Sequence, residues 1–191
     1  MDHKGTQRIE TERLILRRFV MDDASAMFKN WASDSEVTKY LTWPTHKSVE
    51  GSKWITDLWI KDYEKPDYYQ WAIELKELGE VIGSISIVHT DENVNAVEVG
   101  YCIGRNWWHK GITSEAFKAV IKFMFDEVGA DRVSARHDPN NPNSGRVMKK
   151  CGLTYEGTLR KADRNNQGIV DVSVYGILRD EYEKLFTRTD R

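Results

Sequence analysis

The chain has 191 residues, with 28 basic and 30 acidic side chains, a net charge of −2 and only 2 cysteines. At about 150 residues per domain this predicts one domain over 1–191, large enough to bury about 70% of its unfolded surface without disulfides or a structural metal. The balanced, interspersed charge makes no field that would draw nucleic acid or an anionic membrane, so neither partner is expected.

Cys102 and Cys151 lie in separate apolar stretches without metal-ligand or redox-pair spacing, and read as small core residues of a reducing compartment. No apolar run nears the 18 or so residues of a membrane span, and Met1-Asp2-His3-Lys4-Gly5 has no signal core behind it; a cytoplasmic protein is expected.

A first strand is predicted over Glu12 to Phe19, then a helix opened by Met21-Asp22-Asp23 and running to about Trp31. A second helix covers Ser48 to Ile60, with Ser48 as its cap. Trp31, Trp43, Trp54 and Trp59 crowd this stretch, enough apolar bulk for a lid or substrate wall. Strands over Tyr69 to Leu75, Val81 to His89 and Ala96 to Ile103 have short polar connections and predict an antiparallel meander. The clearest helix is Ile112 to Val128, where Ile112, Ala116, Val120, Met124 and Val128 repeat at every fourth position until Gly129 ends it. A strand at Arg132 to Arg136, a short helix at Ser144 to Cys151 stopped by Gly152, and strands at Leu153 to Arg160 and Ile169 to Leu178 complete a mixed α/β domain.

The loop from Arg105 to Glu115 delivers the chain into the long helix. A helix start carries backbone N–H groups without intrahelical acceptors, and with the dipole they suit an anionic phosphate. Gly111 lets backbone approach a ligand, and Lys110, His109 or Arg105 add charge. The Gly-Lys-Ser/Thr order of a P-loop is missing, and chemistry alone favours an ordinary helix start capped by Thr113 or Ser114.

Trp108-His109-Lys110-Gly111-Ile112-Thr113-Ser114-Glu115-Ala116 resembles the acetyl-CoA pyrophosphate loop of the GNAT superfamily of N-acetyltransferases, in the form of its RimJ/RimL branch. Thr11-Glu12-Arg13-Leu14-Ile15-Leu16-Arg17 is similar to that branch's opening strand, the Asp138 to Leu153 stretch to its Asn-x-x-Ser…Gly-Phe segment, and Tyr155-Glu156-Gly157-Thr158-Leu159-Arg160 to the strand that follows. Trp108 and Thr113 depart from the superfamily pattern, and His109 stands where the branch often has glycine. The resemblance implies a single-domain GNAT fold: a twisted, mixed, mostly antiparallel sheet, split near its centre, flanked by helices and holding acetyl-CoA as cosubstrate in the split. It places Tyr101, Cys102, Ile103, His109, Lys110, Gly111, Ile112, Thr113, Ser114, Asn141 and Ser144 at the cofactor.

Acetyl transfer to an amine needs a neutral amine, an oriented thioester carbonyl and a proton for the departing thiolate. At pH 7 a neutral α-amine costs about 1 kcal/mol and a neutral lysine about 4.6 kcal/mol. Glu98 lies mid-strand on a face of small residues, Ala96, Gly100 and Cys102; periodicity alone fits equally a carboxylate that is simply solvated or paired with an arginine. By resemblance Glu98 is the first candidate for general base, directly or through water, with Glu156 and Asp171 behind it. Met148 stands where many GNAT enzymes carry a tyrosine acid and has no proton to give. Ser144 is then the candidate donor to the thiol sulfur and Asn141 the holder of the pantetheine arm, whereas chemistry alone makes Ser144 a helix cap. Cys102 as an acetyl-carrying nucleophile is the remote option.

The expected activity is acetyl-CoA-dependent N-acetylation of a primary amine by direct attack in a ternary complex. An N-terminal α-amine of a protein or peptide is the leading acceptor, and a small-molecule amine such as an antibiotic or polyamine the alternative. A catalytically idle acyl-CoA-binding module is the reading from another class, motivated by Trp108 and Thr113. No metal is expected, and the chain is read as a monomer or homodimer.

Overall fold

Alternation along Ala96–Ile103 sets the two faces of the sheet: Val97, Val99 and Ile103 are buried on one side, while Glu98, Gly100 and Cys102 look to the other. In the computed structural model, which describes residues 1–186, the strands are β1 (Ile9–Glu10), β2 (Leu14–Arg17), β3 (Gln70–Leu75), β4 (Glu80–Asp91), β5 (Ala96–Ile103), β6 (Arg132–His137), β7 (Thr154–Asn165) and β8 (Gly168–Leu178). The helices are α1 (Asp23–Met27), α2 (Ser35–Thr38), α3 (Val49–Asp62), α4 (Ile112–Phe123), α5 (Pro142–Lys150) and α6 (Arg179–Phe186). All eight strands form one sheet in the order β1-β2-β3-β4-β5-β6-β8-β7.

Every neighbouring pair is antiparallel except β5 with β6, joined by the crossover through α4. That parallel pairing holds only at Ala96↔Arg132, Val97↔Val133 and Glu98↔Ser134. β4 stays paired with β5 as far as Ile103, and β8 pairs with all of β6, so the sheet opens between two strands that are each held on their outer side. This is the split, and Glu98 stands at its apex.

The apolar stripe of α4, with Ala116, Phe117, Val120 and Ile121 fully buried, packs on the face carrying Leu16, Trp71, Ile73, Val97 and Val133. A wider closing turn over Met124–Val128 ends at Gly129, whose φ of 80° is left-handed backbone that glycine takes without strain. On the opposite face Phe19, Met27, Trp31, Tyr63, Ala72 and Val81 form a second core beneath α1 and α3.

The expected strands and helices are present with shifted ends. α5 begins at Pro142, a residue suited to a first helical turn, two positions before the predicted Ser144. Ser48 holds the cap position of α3 without a side-chain cap bond. β7 runs on to Asn165, past the predicted Arg160, because register shifts after Tyr155 and Leu159 break its alternation. Trp31 is a core residue rather than part of a wall, whereas Trp43, Trp54 and Trp59 line the cleft described below. No helix among the described residues is long and apolar enough to cross a membrane.

Candidate active site

The split opens into a cleft of about 1090 Å³. Beyond Glu98 the edge of β5 that faces β6 has no strand partner, so the backbone N–H and C=O groups between Val99 and Cys102 that point away from β4 are open to an extended ligand as to another strand. Trp108, which departs from the superfamily pattern, donates its indole N–H to the Ile103 carbonyl at 2.9 Å and so closes the end of that edge.

At the cleft mouth His109 and Gly111 both have left-handed backbone, with φ of 59° and 75°. No side chain caps α4, and its first backbone bond runs from Glu115 N–H to Gly111 C=O at 3.0 Å. The amides of Ile112, Thr113 and Ser114 therefore point out of the helix end, as an anion requires. Lys150 Nζ and Arg13 Nη2 lie 3.5 and 3.7 Å from where a Gly111 Cβ would be, two cations that sequence reading had not placed here.

A strut holds this helix end against β2. The Glu115 carboxylate accepts from Thr11 Oγ1 at 2.6 Å and from Arg13 N and Nε at 2.9 and 2.7 Å, and Arg13 Nη1 donates to the Lys110 carbonyl at 3.0 Å. Burial alone would raise the Glu115 carboxyl, but these bonds outweigh it and hold it below its ordinary value. Such a group stabilises the fold fully above the unfolded pKa of about 4.3, and its contribution fades as pH falls through the folded value. Glu115→Gln is expected to lower Tm at pH 7 by about 2–4 °C, with the difference from wild type vanishing as pH falls below the carboxylate range. Thermal melts over pH 3 to 7 check this; a constant offset would show that the strut's charge is irrelevant.

On the other wall, the N-terminal turn of α5 carries Asn141 and Ser144 into the cleft. Asn141 Nδ2 donates to Ser144 Oγ at 3.5 Å, and the cap position of α5 is Asn141 without a side-chain bond, so the Ser144 hydroxyl is not a cap. Tyr101 Oη crosses the split to donate to the Ser144 carbonyl at 3.1 Å, and burial pushes its phenol up so that it remains a donor. A Cβ at Gly145 would come within 2.7 Å of His137 Nε2, so glycine leaves room for that ring.

Glu98 is 13% exposed in its side chain and ion-paired through Oε2 with Arg136 Nη2, leaving Oε1 without a partner among the described residues. The register shift around Val88 in β4 falls beside it, and Gly100 gives Val88 room where a Cβ would sit 2.8 Å away. Asp163 and Asp171 also line the cleft; Glu156, the other sequence candidate, lies outside it, bound to Arg132. The Cys102 thiol contacts Ser84 Oγ at 3.4 Å, and burial pushes it up to about 11, far from a nucleophilic thiolate at pH 7. No cluster of metal-ligating side chains occurs among the described residues.

A strand edge open along one side, ending at an uncapped helix start flanked by cations, defines a site for an extended carrier with a phosphate group. The family model of the acetyltransferase (GNAT) domain matches residues 13–154, and the chain belongs to this family. It is an N-acetyltransferase, and acetyl-CoA is its cosubstrate. It is 31% identical over 180 residues to the uncharacterized N-acetyltransferase p20 of Bacillus licheniformis, covering 92% of this chain and 98% of that one. It is 26% identical over 160 residues to the ribosomal-protein-serine acetyltransferase of Escherichia coli, covering 80% and 82%. A GNAT-family acetyltransferase from Bacillus anthracis superposes with a TM-score of 0.79 at 27% identity, over 91% of this chain and 99% of that one.

Proposed function

We propose that the acceptor is the free α-amine of a protein or peptide, attacked by direct transfer in a ternary complex, with Glu98 as base and Ser144 as the donor to the departing sulfur. The carrying observation is the composition of the acceptor wall. Glu98 and its partner Arg136 stand at the apex, and the carboxylates Asp163 and Asp171 line the same cavity. A carboxylate can relay a proton from an amine that is already partly neutral, and a lysine reaches that state at a cost of about 4.6 kcal/mol at pH 7. An α-amine costs only about 1 kcal/mol. The acids also favour approach of a cationic chain end. The ribosomal-protein-serine acetyltransferase among the relatives acts on a protein, which agrees with this reading.

The cofactor lies along Tyr101, Cys102 and Ile103, its pyrophosphate at Lys110 to Ser114 and its pantetheine arm near Asn141. One chain carries every part of this site, so residues 1–191 are proposed to act as one catalytic domain. Intact-mass analysis of an amine panel with acetyl-CoA tests the acceptor class: acetylation of peptide N-termini is expected, and acetylation confined to lysines or to small amines would overturn it.

Ser144→Ala is expected to lower kcat about tenfold with acceptor KM and acetyl-CoA affinity unchanged, because the bond to sulfur strengthens as charge develops on it. A steady-state comparison of the two parameters decides this; a rise in KM alone would make Ser144 a binding residue.

A further inference from the structure

The hairpin of β7 and β8 carries Asn165 and Asn166 at its tip, and both are anchored on opposite walls of the cleft. Asn166 Nδ2 donates to the Thr38 and Trp43 carbonyls, each at 2.8 Å, and Asn166 N–H donates to the Leu41 carbonyl at 3.1 Å. Two carbonyl neighbours fix the amide orientation, since only its NH₂ side can serve both. On the other wall, Asn165 Nδ2 donates to Asp138 Oδ2 at 2.9 Å. Asp138 is only 6% exposed, and its Oδ1 accepts from Asn140 N and Nδ2 at 2.8 and 3.0 Å, next to Asn141. The register shift between Leu159 and Asp163, with Lys161 at a φ of 49°, lies along the reach of this hairpin.

Hydrogen bonds alone therefore close a ring from the 38–43 segment, over the hairpin tip, to the end of β6. Residues on both sides of that closure, Leu41 and Trp43 on one and Asp163 and Asp171 on the other, line a single continuous cavity. We infer that this clasp determines acceptor shape: the amine reaches Glu98 as a slender chain end passing within the ring, and Asn166 is the positioning residue that keeps a bulky folded surface out. The inference rests on the acetyltransferase reaction and on Glu98 marking the reacting end; it holds whether the amine belongs to a peptide or a small molecule.

Asn166→Asp keeps the side-chain shape, removes the two N–H donors and adds a negative charge, setting carboxylate oxygen against carbonyl oxygen. The test compares a heptapeptide with a free N-terminus with the same heptapeptide joined without linker to a folded carrier domain. Wild type is expected to prefer the free peptide by about tenfold or more in kcat/KM, and Asn166→Asp to lose most of that preference through the carrier's KM, at unchanged acetyl-CoA affinity. In parallel, hydrogen exchange at the Asn166 amide is expected to speed up about tenfold in the variant. Equal use of both substrates by wild type, or a variant with the same preference and the same exchange, overturns the clasp. If wild type acetylates no peptide but does acetylate a small amine, the α-amine reading fails, and the clasp is decided by that amine, free against carrier-linked. If no amine is turned over, there is no acceptor for the clasp to select and the inference is overturned with the α-amine reading.

Discussion

Glu98→Gln lowers the acetylation rate by about 10²–10⁴-fold, leaves acetyl-CoA affinity intact and leaves a pH–rate profile whose acidic limb is set by the acceptor amine alone. The size follows from where the carboxylate stands. β5 and β6 part directly after the Glu98↔Ser134 pair, so Glu98 is at the apex where a thioester lying along Val99 to Ile103 would end. Arg136 occupies Oε2 and fixes the carboxylate's direction, while Oε1 is left for the amine or a relaying water. Glutamine keeps the shape and can still meet Arg136 through its carbonyl, but it takes no proton. An α-amine is already about one-tenth neutral at pH 7, so raising pH toward 9 supplies more of the reactive form and partly rescues the variant. Ser144→Ala gains no such rescue, because its defect lies in thiolate departure. Equal rescue of both variants would mean that the two roles are wrongly divided. A wild-type rate in Glu98→Gln would move the base to Asp171, Asp163 or water.

Which features could be read from the sequence follows from the range over which each is determined. β5 and α4 are set by local alternation and by a repeat at every fourth position, and both stand where the pattern puts them. The split depends on where pairing stops between strands separated by a whole helix, which no local pattern records; only the resemblance implied it. The strut of Thr11, Arg13 and Glu115 spans more than 100 residues of sequence, and Thr11-Glu12-Arg13 alone reads as the start of an ordinary strand. Arg136 was invisible as Glu98's partner for the same reason, although a paired arginine was one expectation for that carboxylate. The start of α5 was legible in Pro142, a stronger first-turn signal than the Ser144 used as the cap. α6 was missed because Arg179–Phe186 is mostly charged and buries Tyr182 against Phe125 by tertiary contact rather than by a repeated stripe. Asn166 looked like any polar hairpin tip, since its partners lie more than 120 residues earlier.

Gly111→Glu raises the dissociation constant for acetyl-CoA by about 100-fold or more, and the control Gly111→Ala raises it about tenfold. Two separate effects act at this residue. Its φ of 75° is left-handed, so any side chain brings strain of about 1–2 kcal/mol, which the loop relieves by moving the amides that follow. Alanine suffers this effect alone, because its Cβ meets only the side-chain ends of Lys150 and Arg13, in ordinary contact at 3.5 and 3.7 Å. Glutamate adds a charge among the outward N–H groups of Ile112, Thr113 and Ser114, where a phosphate is expected. Its carboxylate also pairs with Lys150 and Arg13 and takes both cations from the ligand. Arg13 is bound to Glu115 already, so drawing it toward residue 111 loosens the strut as well. Titration calorimetry with acetyl-CoA on variants whose melts show a folded state separates the effects. Equal losses for alanine and glutamate would make backbone shape the whole contribution of Gly111, and unchanged affinity in folded Gly111→Glu would place the pyrophosphate away from this helix.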